Sequence, residues 1–192
     1  MARNKEFDPE VALQKALELF WERGYEATSM ADLVEHLGIA RASIYGTFGG
    51  KRELYLKALE RYLGQRNIVE PLSQPGPALP ALRAFLDSYV AECLVDELRR
   101  GCMVVNSAVE FGSRDAVVAA RVAASWAGLE TTLAATLVRA RAQGEIPPEK
   151  DPYALARFLL VLLQGLRVLG RADPDPRRLR DAVGQAMIAV EI

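Results

Sequence analysis

Arg41, Tyr45 and Lys51 lie within a short stretch and carry side-chain groups that suit contacts with a nucleic acid. The planar guanidinium of Arg41 matches O6 and N7 of guanine, with an ordinary solvated arginine as the alternative. The Tyr45 hydroxyl could donate to a phosphate, or its ring could pack with Phe48 in a core. Lys51 stands where a helix is expected to begin, and a cation is unfavourable there in an isolated helix. A phosphate would resolve that conflict, because a lysine and exposed backbone N–H groups together form an anion site.

Two short helices joined by a tight turn are predicted to position these groups. Residues 30–37 place apolar side chains at helical spacing, and Ser29 with Asp32 predicts a cap like a capping box. Gly38 can adopt the positive φ that ends such a helix, and a second segment over residues 40–48 begins at once. This order predicts a helix-turn-helix, whose second helix enters the major groove of DNA with its N-terminus first.

Helices are also predicted on both sides of this motif. Asp8 and Pro9 indicate an N-cap followed by a first-turn proline, and Gly24 is expected to end that helix. Gly50 precedes a further helix that has Lys51 in its first turn. The four helices together predict a small DNA-binding module.

The motif residues closely resemble the N-terminal domain of the TetR family of bacterial transcriptional regulators, over roughly residues 9–60. The resemblance implies a homodimeric, all-helical repressor whose C-terminal domain binds a small inducer. Ala40 departs from the family pattern, in which Ser or Thr often caps the second helix, and Gly46 and Thr47 replace a bulky aromatic and a histidine. The second departure removes contacts from the reading surface and leaves the operator sequence open. The matching run is Phe20-x-x-x-Gly24-Tyr25-x-x-Thr28-Ser29-x-x-Asp32-Leu33, then Leu37-Gly38-Ile39, then Ser43-Ile44-Tyr45-x-x-Phe48-x-x-Lys51-x-x-Leu54. The positions that the resemblance turns toward DNA are Thr28, Ser29, Arg41, Ala42, Ser43, Tyr45, Gly46, Thr47 and Lys51.

The overall charge gives little support to nucleic-acid binding. The 192 residues carry a formal net charge of −1, and residues 1–66 contain ten Lys and Arg against ten Asp and Glu. This balance counts modestly against DNA binding unless the basic groups share one face, as Arg41, Lys51 and Arg52 could. The first ten residues are polar and resemble no secretory signal, so a cytoplasmic location is expected.

A proline-rich stretch over residues 71–80 predicts a loop and the domain boundary. We therefore expect a helix-turn-helix DNA-binding domain at 1–66 and a ligand-binding and dimerisation domain at 77–192. No segment shows convincing strand alternation, so the predicted fold class is all-α. Helices are expected in the second domain at about 81–97, 102–111, 114–142, 153–169 and 177–190.

The last two predicted helices form the expected homodimer surface. Residues 153–170 are apolar almost all round, and polar residues within them are expected to keep the segment well short of a membrane span. An exposed stripe at Leu163 or Met187 would exceed the apolar patches usual on monomers, so charged substitutions at Val183 and Met187 are expected to give monomers or aggregates.

A mainly apolar effector cavity is expected within residues 81–170, because aromatic and isolated polar groups recur among aliphatic helices. Taken singly, each of these aromatics is more often a core residue than part of a pocket, and helical position alone does not show which polar groups point inward. Cys102 could instead sense electrophiles or oxidants as a thiolate near Arg99 and Arg100. The candidate walls and polar anchors are Tyr89, Cys102, Asn106, Glu110, Phe111, Trp126, Phe158, Gln164 and Arg167.

Three functions remain open from the sequence. The first is a ligand-responsive repressor that binds a double-stranded DNA operator. The second is a helical enzyme using Cys102 or Glu110, although no nucleophile, base and orienting group can be assembled. The third is a DNA-bound dimeric scaffold without an effector. The two cysteines and His36 lack metal-ligand spacing, so neither a metal nor a cofactor is expected.

Overall fold

A computed structural model describes residues 7–65 and 69–191 of the chain. These residues form ten helices and no strand, which confirms the all-α prediction. In chain order the helices are α1 (Pro9–Arg23), α2 (Met30–Leu37), α3 (Arg41–Phe48), α4 (Lys51–Gln65), α5 (Glu70–Ser73), α6 (Ala78–Val95), α7 (Met103–Phe111), α8 (Ala116–Ala142), α9 (Pro152–Ala172) and α10 (Pro176–Glu191).

The helix ends near the N-terminus follow the predicted caps. The Asp8 side chain accepts from the Glu10 N–H at 2.8 Å, and Pro9 occupies the first position of α1. Ser29 and Asp32 form a complete capping box at the start of α2. Gly38 ends α2 with φ 67°, a left-handed conformation that costs glycine little. These local signals therefore fix the lengths of the first two helices.

The proline-rich stretch contains more helix than expected. The short helix α5 includes Pro71, and α6 begins at Ala78 rather than near residue 81. Pro80 is the third residue of α6, where a proline is tolerated because the first-turn N–H groups have no partner within the helix. Side chains supply those partners instead. Gln143 Oε1 accepts from the Ala78 N–H at 3.0 Å, and Glu145 Oε2 accepts from the Leu79 N–H at 2.8 Å.

The chain divides into two compact units that do not follow the linear boundary expected at the proline-rich loop. The first unit combines Met1–Arg66 with Cys102–Ala119, so that α7 belongs to the same compact unit as α1–α4 and packs on α4. The second combines Asn67–Gly101 with Ala120–Ile192. The division of labour between residues 1–66 and 77–192 stays a prediction, but residues 102–119 are compact with the N-terminal helices.

The core of the second unit is formed mainly by apolar side chains from α6, α8, α9 and α10. The helices α6 and α9 approach so closely that a Cβ on Gly170 would lie 2.7 Å from the Cβ of Cys93. By length and composition α9 could cross a membrane, with a mean hydropathy of 1.5 over 18 residues and 33% of that window buried. The expectation that its polar residues keep it well short of a span is therefore wrong. Core helices of soluble proteins meet the same criterion.

The stripe of Leu163 and Met187, which the sequence predicts to form the dimer surface, is buried inside the second unit. Leu163 and Met187 are 0% exposed and Val183 is 2% exposed, because all three belong to this unit's own core. The large apolar residues exposed on α9 and α10 are instead Tyr153, Phe158, Val161, Val168, Leu169 and Ile188. Charged groups at Val183 or Met187 would therefore test folding and not assembly.

Candidate functional site

The short helix α3 has small exposed residues on part of its outer face and buried apolar residues on its inner face. Ile44 is fully buried and Phe48 is 6% exposed, and both hold the helix against the rest of the first unit. Ala42 and Gly46 are exposed and lie four residues apart, so they share one face of the helix. A Cβ added at Gly46 would meet no atom within 4 Å. This smooth face allows close approach of another backbone.

Two larger side chains flank that smooth face. Arg41 and Tyr45 are both exposed, and the guanidinium carbon of Arg41 lies 5.8 Å from the centroid of the Tyr45 ring. A guanidinium near a ring face is attracted by the ring's quadrupole. Ala40 offers no side-chain hydrogen bond at the N-terminus of α3, as its side chain predicts. Ser43 and Thr47 are half-buried on the same helix.

The residues just before α2 divide between surface and interior. Ser29 is exposed, and its hydroxyl lies 2.5 Å from Asp32 Oδ2, which lowers the pKa of the Asp32 carboxyl. Thr28 is 0% exposed, and its hydroxyl donates to the Gly24 carbonyl at 2.6 Å. The expectation that Thr28 faces DNA therefore needs correction, because its side chain closes the turn after α1 and is not available at the surface.

Lys51 and Arg52 begin α4 and have different partners. The Nζ of Lys51 lies 4.1 Å from the centroid of the Tyr25 ring. Arg52 donates to both carboxylate oxygens of Asp115, at 2.7 Å from Nε and 3.1 Å from Nη2. These hydrogen bonds lower the pKa of Asp115 to about 2 and raise the pKa of Arg52. Arg52 therefore forms an ion pair within the first unit, whereas the Lys51 ammonium lies over an aromatic ring.

Helix α7 contacts the residues that precede the helix-turn-helix. The Glu110 carboxylate accepts from the Tyr25 N–H at 2.9 Å and from the Glu26 N–H at 2.7 Å. Gly24 has φ +88°, a backbone conformation that favours glycine, and a Cβ there would lie 3.0 Å from Glu110 Oε1, so the carboxylate would have to shift by a few tenths of an ångström. The carboxylate therefore fixes the turn that carries Tyr25.

An aromatic cluster joins α7 to α1 and α4. The Phe111 ring lies 4.9 Å from the Tyr25 ring and 5.0 Å from the Tyr55 ring, centroid to centroid. The Ser107 hydroxyl donates to the Met103 carbonyl at 2.6 Å, which leaves its oxygen free to accept from the Tyr55 hydroxyl at 2.7 Å. Burial raises the pKa of Tyr55 to about 12, and burial also raises the pKa of Tyr25.

The structure gives the predicted effector residues several separate roles. Glu110 and Phe111 make the contacts just described within the first unit, which also contains Cys102 and Asn106. Phe158 is 45% exposed on the outer side of α9, so it does not wall a cavity inside its own unit. These corrections arise because helical periodicity alone does not determine which side of a helix meets the core.

A polar cluster does form in the second unit around Arg167. This residue is 5% exposed, and its guanidinium carbon lies 3.8 Å from the centroid of the buried Tyr89 ring. Its Nη2 donates to Glu92 Oε2 at 2.6 Å, and its Nη1 lies 3.9 Å from Cys93 Sγ. The sequence predicted Tyr89 and Arg167 but missed Glu92 and Cys93, which follow Tyr89 at helical spacing on α6.

The predicted anchor Gln164 and the predicted wall residue Trp126 have different surroundings. Gln164 donates to the Leu160 carbonyl one turn earlier at 3.1 Å. The indole Nε1 of Trp126 is buried without a hydrogen-bond partner in the described part of the chain. Cys93 is buried, with its Sγ 3.7 Å from the Leu166 carbonyl oxygen, and Cys102 is only half-buried. Arg100, invoked for a Cys102 thiolate, donates to Asp96 at 3.4 Å.

The capped α2, the turn at Gly38 and the exposed α3 define a helix-turn-helix DNA-binding protein. Comparison with known families agrees over both halves of the chain. Residues 12–58 match the family described as bacterial regulatory proteins, tetR family, and residues 78–186 match the tetracyclin repressor-like C-terminal domain. The chain belongs to the TetR family and is a DNA-binding transcriptional regulator.

Individual relatives match along nearly the whole chain. An uncharacterized HTH-type transcriptional regulator of Bacillus subtilis, YezE, is 38% identical over 194 residues and is covered completely, as is this chain. The HTH-type transcriptional repressor ComR of Escherichia coli is 32% identical, with 96% of this chain and 90% of ComR aligned. The TetR-family regulator CifR, solved as a cysteine mutant with 26-bp operator DNA, has a TM-score of 0.86 at 31% identity, covering 98% of this chain and 100% of CifR.

Proposed function

We propose that the chain is a ligand-responsive repressor that acts as a homodimer on a pseudo-palindromic operator in the cytoplasm. The observation that carries the proposal is the outer face of α3, where exposed Arg41 and Tyr45 flank the small residues Ala42 and Gly46. The similarity to ComR, named a repressor, and to CifR, solved on operator DNA, supports this direction of regulation. Two α3 helices in a dimer would read half-sites about 34 Å apart or somewhat more.

The contacts in this proposal fall into two classes. Arg41 reads a base, which would contribute about 1–3 kcal/mol of discrimination for a bidentate contact with guanine. Lys51 contacts a phosphate, with Ser29, Ser43, Tyr45 and Thr47 as further polar groups on the DNA-facing side. Base contacts specify sequence, whereas phosphate contacts only position the protein. Their loss therefore has different signatures.

The test compares two single variants on specific and scrambled duplexes. Arg41→Ala is expected to weaken specific binding and to relax base preference at one position of each half-site. Lys51→Ala is expected to weaken binding to all duplexes alike and to flatten the salt dependence by about 0.9 for each protomer. Equal affinity of the native protein for specific and scrambled duplexes would contradict the proposed function.

A homodimer is supported by the exposed side of α9. Val161 is 72% exposed and Val168 is 48% exposed, while Ile188 on α10 is 46% exposed. A Cβ added at Gly165 or Gly184 would meet nothing within 4 Å, so another helix could come close. The same helix from a second copy, packed as a four-helix interface, would cover this apolar surface. In this arrangement the core of its own unit covers one apolar face of α9 and the second copy covers the other, so burial of both faces requires no membrane.

The effector of this repressor is proposed to be a mainly apolar small molecule. The cluster of Arg167 with Tyr89 places a few polar groups against a mainly apolar core, which suits a small-molecule site. The Trp126 Nε1, which has no hydrogen-bond partner among the described residues, favours a ligand that carries a hydrogen-bond acceptor. Binding must differ between two conformations by about 1–3 kcal/mol to release DNA.

The effector test uses preformed protein–operator complexes and a broad panel of small metabolites. Release by a compound in the native protein, with a weaker response in Arg167→Met and Trp126→Phe, is expected. A thiol-alkylating agent and a Cys102→Ser variant separate this route from a thiol switch, because release by a metabolite in Cys102→Ser excludes the thiol. Absence of release by every compound would favour the scaffold without an effector.

A further inference from the structure

Among the residues that the structure describes, Lys51 has an aromatic neighbour and no ion-pair partner. Its Nζ lies 4.1 Å from the Tyr25 ring centroid, a distance at which a ring face attracts an ammonium. The nearby carboxylates of Glu53 and Asp115 pair with Arg52 instead. The lysine is the first residue of α4, where the helix dipole disfavours a cation. The ring is therefore the group that holds this charge in place.

The Tyr25 ring is itself fixed from three sides. Tyr55 of α4 lies edge-on at 5.1 Å with an interplanar angle of 72°, and Phe111 of α7 lies at 4.9 Å. Phe20 of α1 stacks at 6.3 Å. The backbone N–H of Tyr25 donates to Glu110 at 2.9 Å. A ring held in this way can act as a rigid support for a flexible lysine side chain.

We propose that Tyr25 is a positioning residue for DNA binding, whose ring orders the Lys51 ammonium in the place from which it contacts a backbone phosphate. A lysine side chain loses rotamer freedom when it binds, and a support that orders it beforehand removes part of that cost. The ring face keeps the positive charge without neutralising it, so the ammonium stays available to the phosphate. This role rests on the proposed phosphate contact of Lys51.

The experiment measures operator affinity in a double-mutant cycle over a series of salt concentrations. Lys51→Ala is expected to weaken binding about fivefold per protomer at 0.15 M salt, with the salt slope reduced by about 0.9. Tyr25→Leu removes the ring and is expected to weaken binding about two- to fivefold per protomer, the size of an exposed cation–π contact. Tyr25→Phe keeps the ring and is expected to bind like the native protein.

The double variant Tyr25→Leu with Lys51→Ala distinguishes positioning from a general loss of structure. If the ring acts through Lys51, the double variant binds as Lys51→Ala does. The proposal would be overturned if Tyr25→Leu weakened operator binding by the same factor in the native protein and in the Lys51→Ala variant. It would also be overturned if Tyr25→Leu alone bound the operator with native affinity. An unchanged salt slope in Lys51→Ala would instead overturn the phosphate contact on which the role rests.

A second measurement does not depend on DNA. In the free protein the ε protons of Lys51 are expected to show an upfield ring-current shift in the NMR spectrum. The shift should persist in Tyr25→Phe and vanish in Tyr25→Leu, and also in Tyr25→Met if the leucine variant is too unstable to assay. A Lys51 shift that is the same in the ringless variants and in the native protein would contradict the ring contact.

Discussion

At the scale of single residues, Gly46 is expected to lower the stability of the fold and to favour operator binding. It lies inside α3, where glycine is about 1 kcal/mol less favourable than alanine, and a Cβ there meets nothing within 4 Å. We predict that Gly46→Ala raises the free energy of unfolding by about 0.5–1 kcal/mol in urea denaturation. The added methyl should weaken operator binding, because it lies on the face that approaches DNA.

The matched control for Gly46→Ala is Gly128→Ala in α8. That glycine is also helical, exposed and open at its Cβ position. It should give a similar gain in stability with unchanged operator affinity. Native operator affinity in Gly46→Ala would show that close approach at this position is not needed.

Asp115 predicts a pH dependence of stability in the acid range. Arg52 holds the pKa of the folded carboxyl at about 2, below the ordinary value of 3.8. Because the folded pKa is the lower one, the carboxylate stabilises the folded state above about pH 4. That contribution is lost as the pH falls from about 4 to about 2. Asp115→Asn should flatten the curve of unfolding free energy against pH in this window, and an unchanged acid limb would contradict the assignment.

At the scale of elements, α7 holds the turn before the helix-turn-helix. Glu110→Ala would leave the N–H groups of Tyr25 and Glu26 without their carboxylate. We predict a loss of about 1–3 kcal/mol in the free energy of unfolding, measured by urea denaturation, because hydrogen bonds to a charged group are among the stronger ones. Glu110→Gln should lose less, since its amide oxygen can still accept. Native stability in Glu110→Ala would exclude the role.

The helices also show how far the sequence determines the site. The bounds of α2 and α3 could be predicted because the capping box, Gly38 and the apolar spacing are local signals. The directions in which Glu110 and Leu163 point could not be predicted from the sequence, because α7 and α9 are apolar on more than one face and either face could be buried. Only packing against other helices decides which face is buried. The sequence therefore predicts Glu110 at an effector, whereas in the structure it lies against the turn that carries Tyr25.

At the scale of the whole molecule, the outer side of α9 predicts dimerisation. Val161→Glu is expected to shift the protein to monomers in sedimentation experiments at micromolar concentration, because it places a charge in the proposed interface. Val109→Glu is the matched control, since Val109 on α7 is 78% exposed and Val161 is 72% exposed. It should leave the assembly unchanged. Val161→Glu that sediments like the native protein would place the interface elsewhere.

The inclusion of residues 102–119 with the N-terminal helices has a consequence for building chimaeric regulators. A sensor module transplanted at the proline-rich loop would bring a foreign α7 to a resident Tyr25 and Gly24. The graft would then depend on a carboxylate and an aromatic ring at the positions of Glu110 and Phe111 in the donor sequence. Exchange between relatives is therefore expected to succeed where the donor carries both groups, and to need their restoration where it does not.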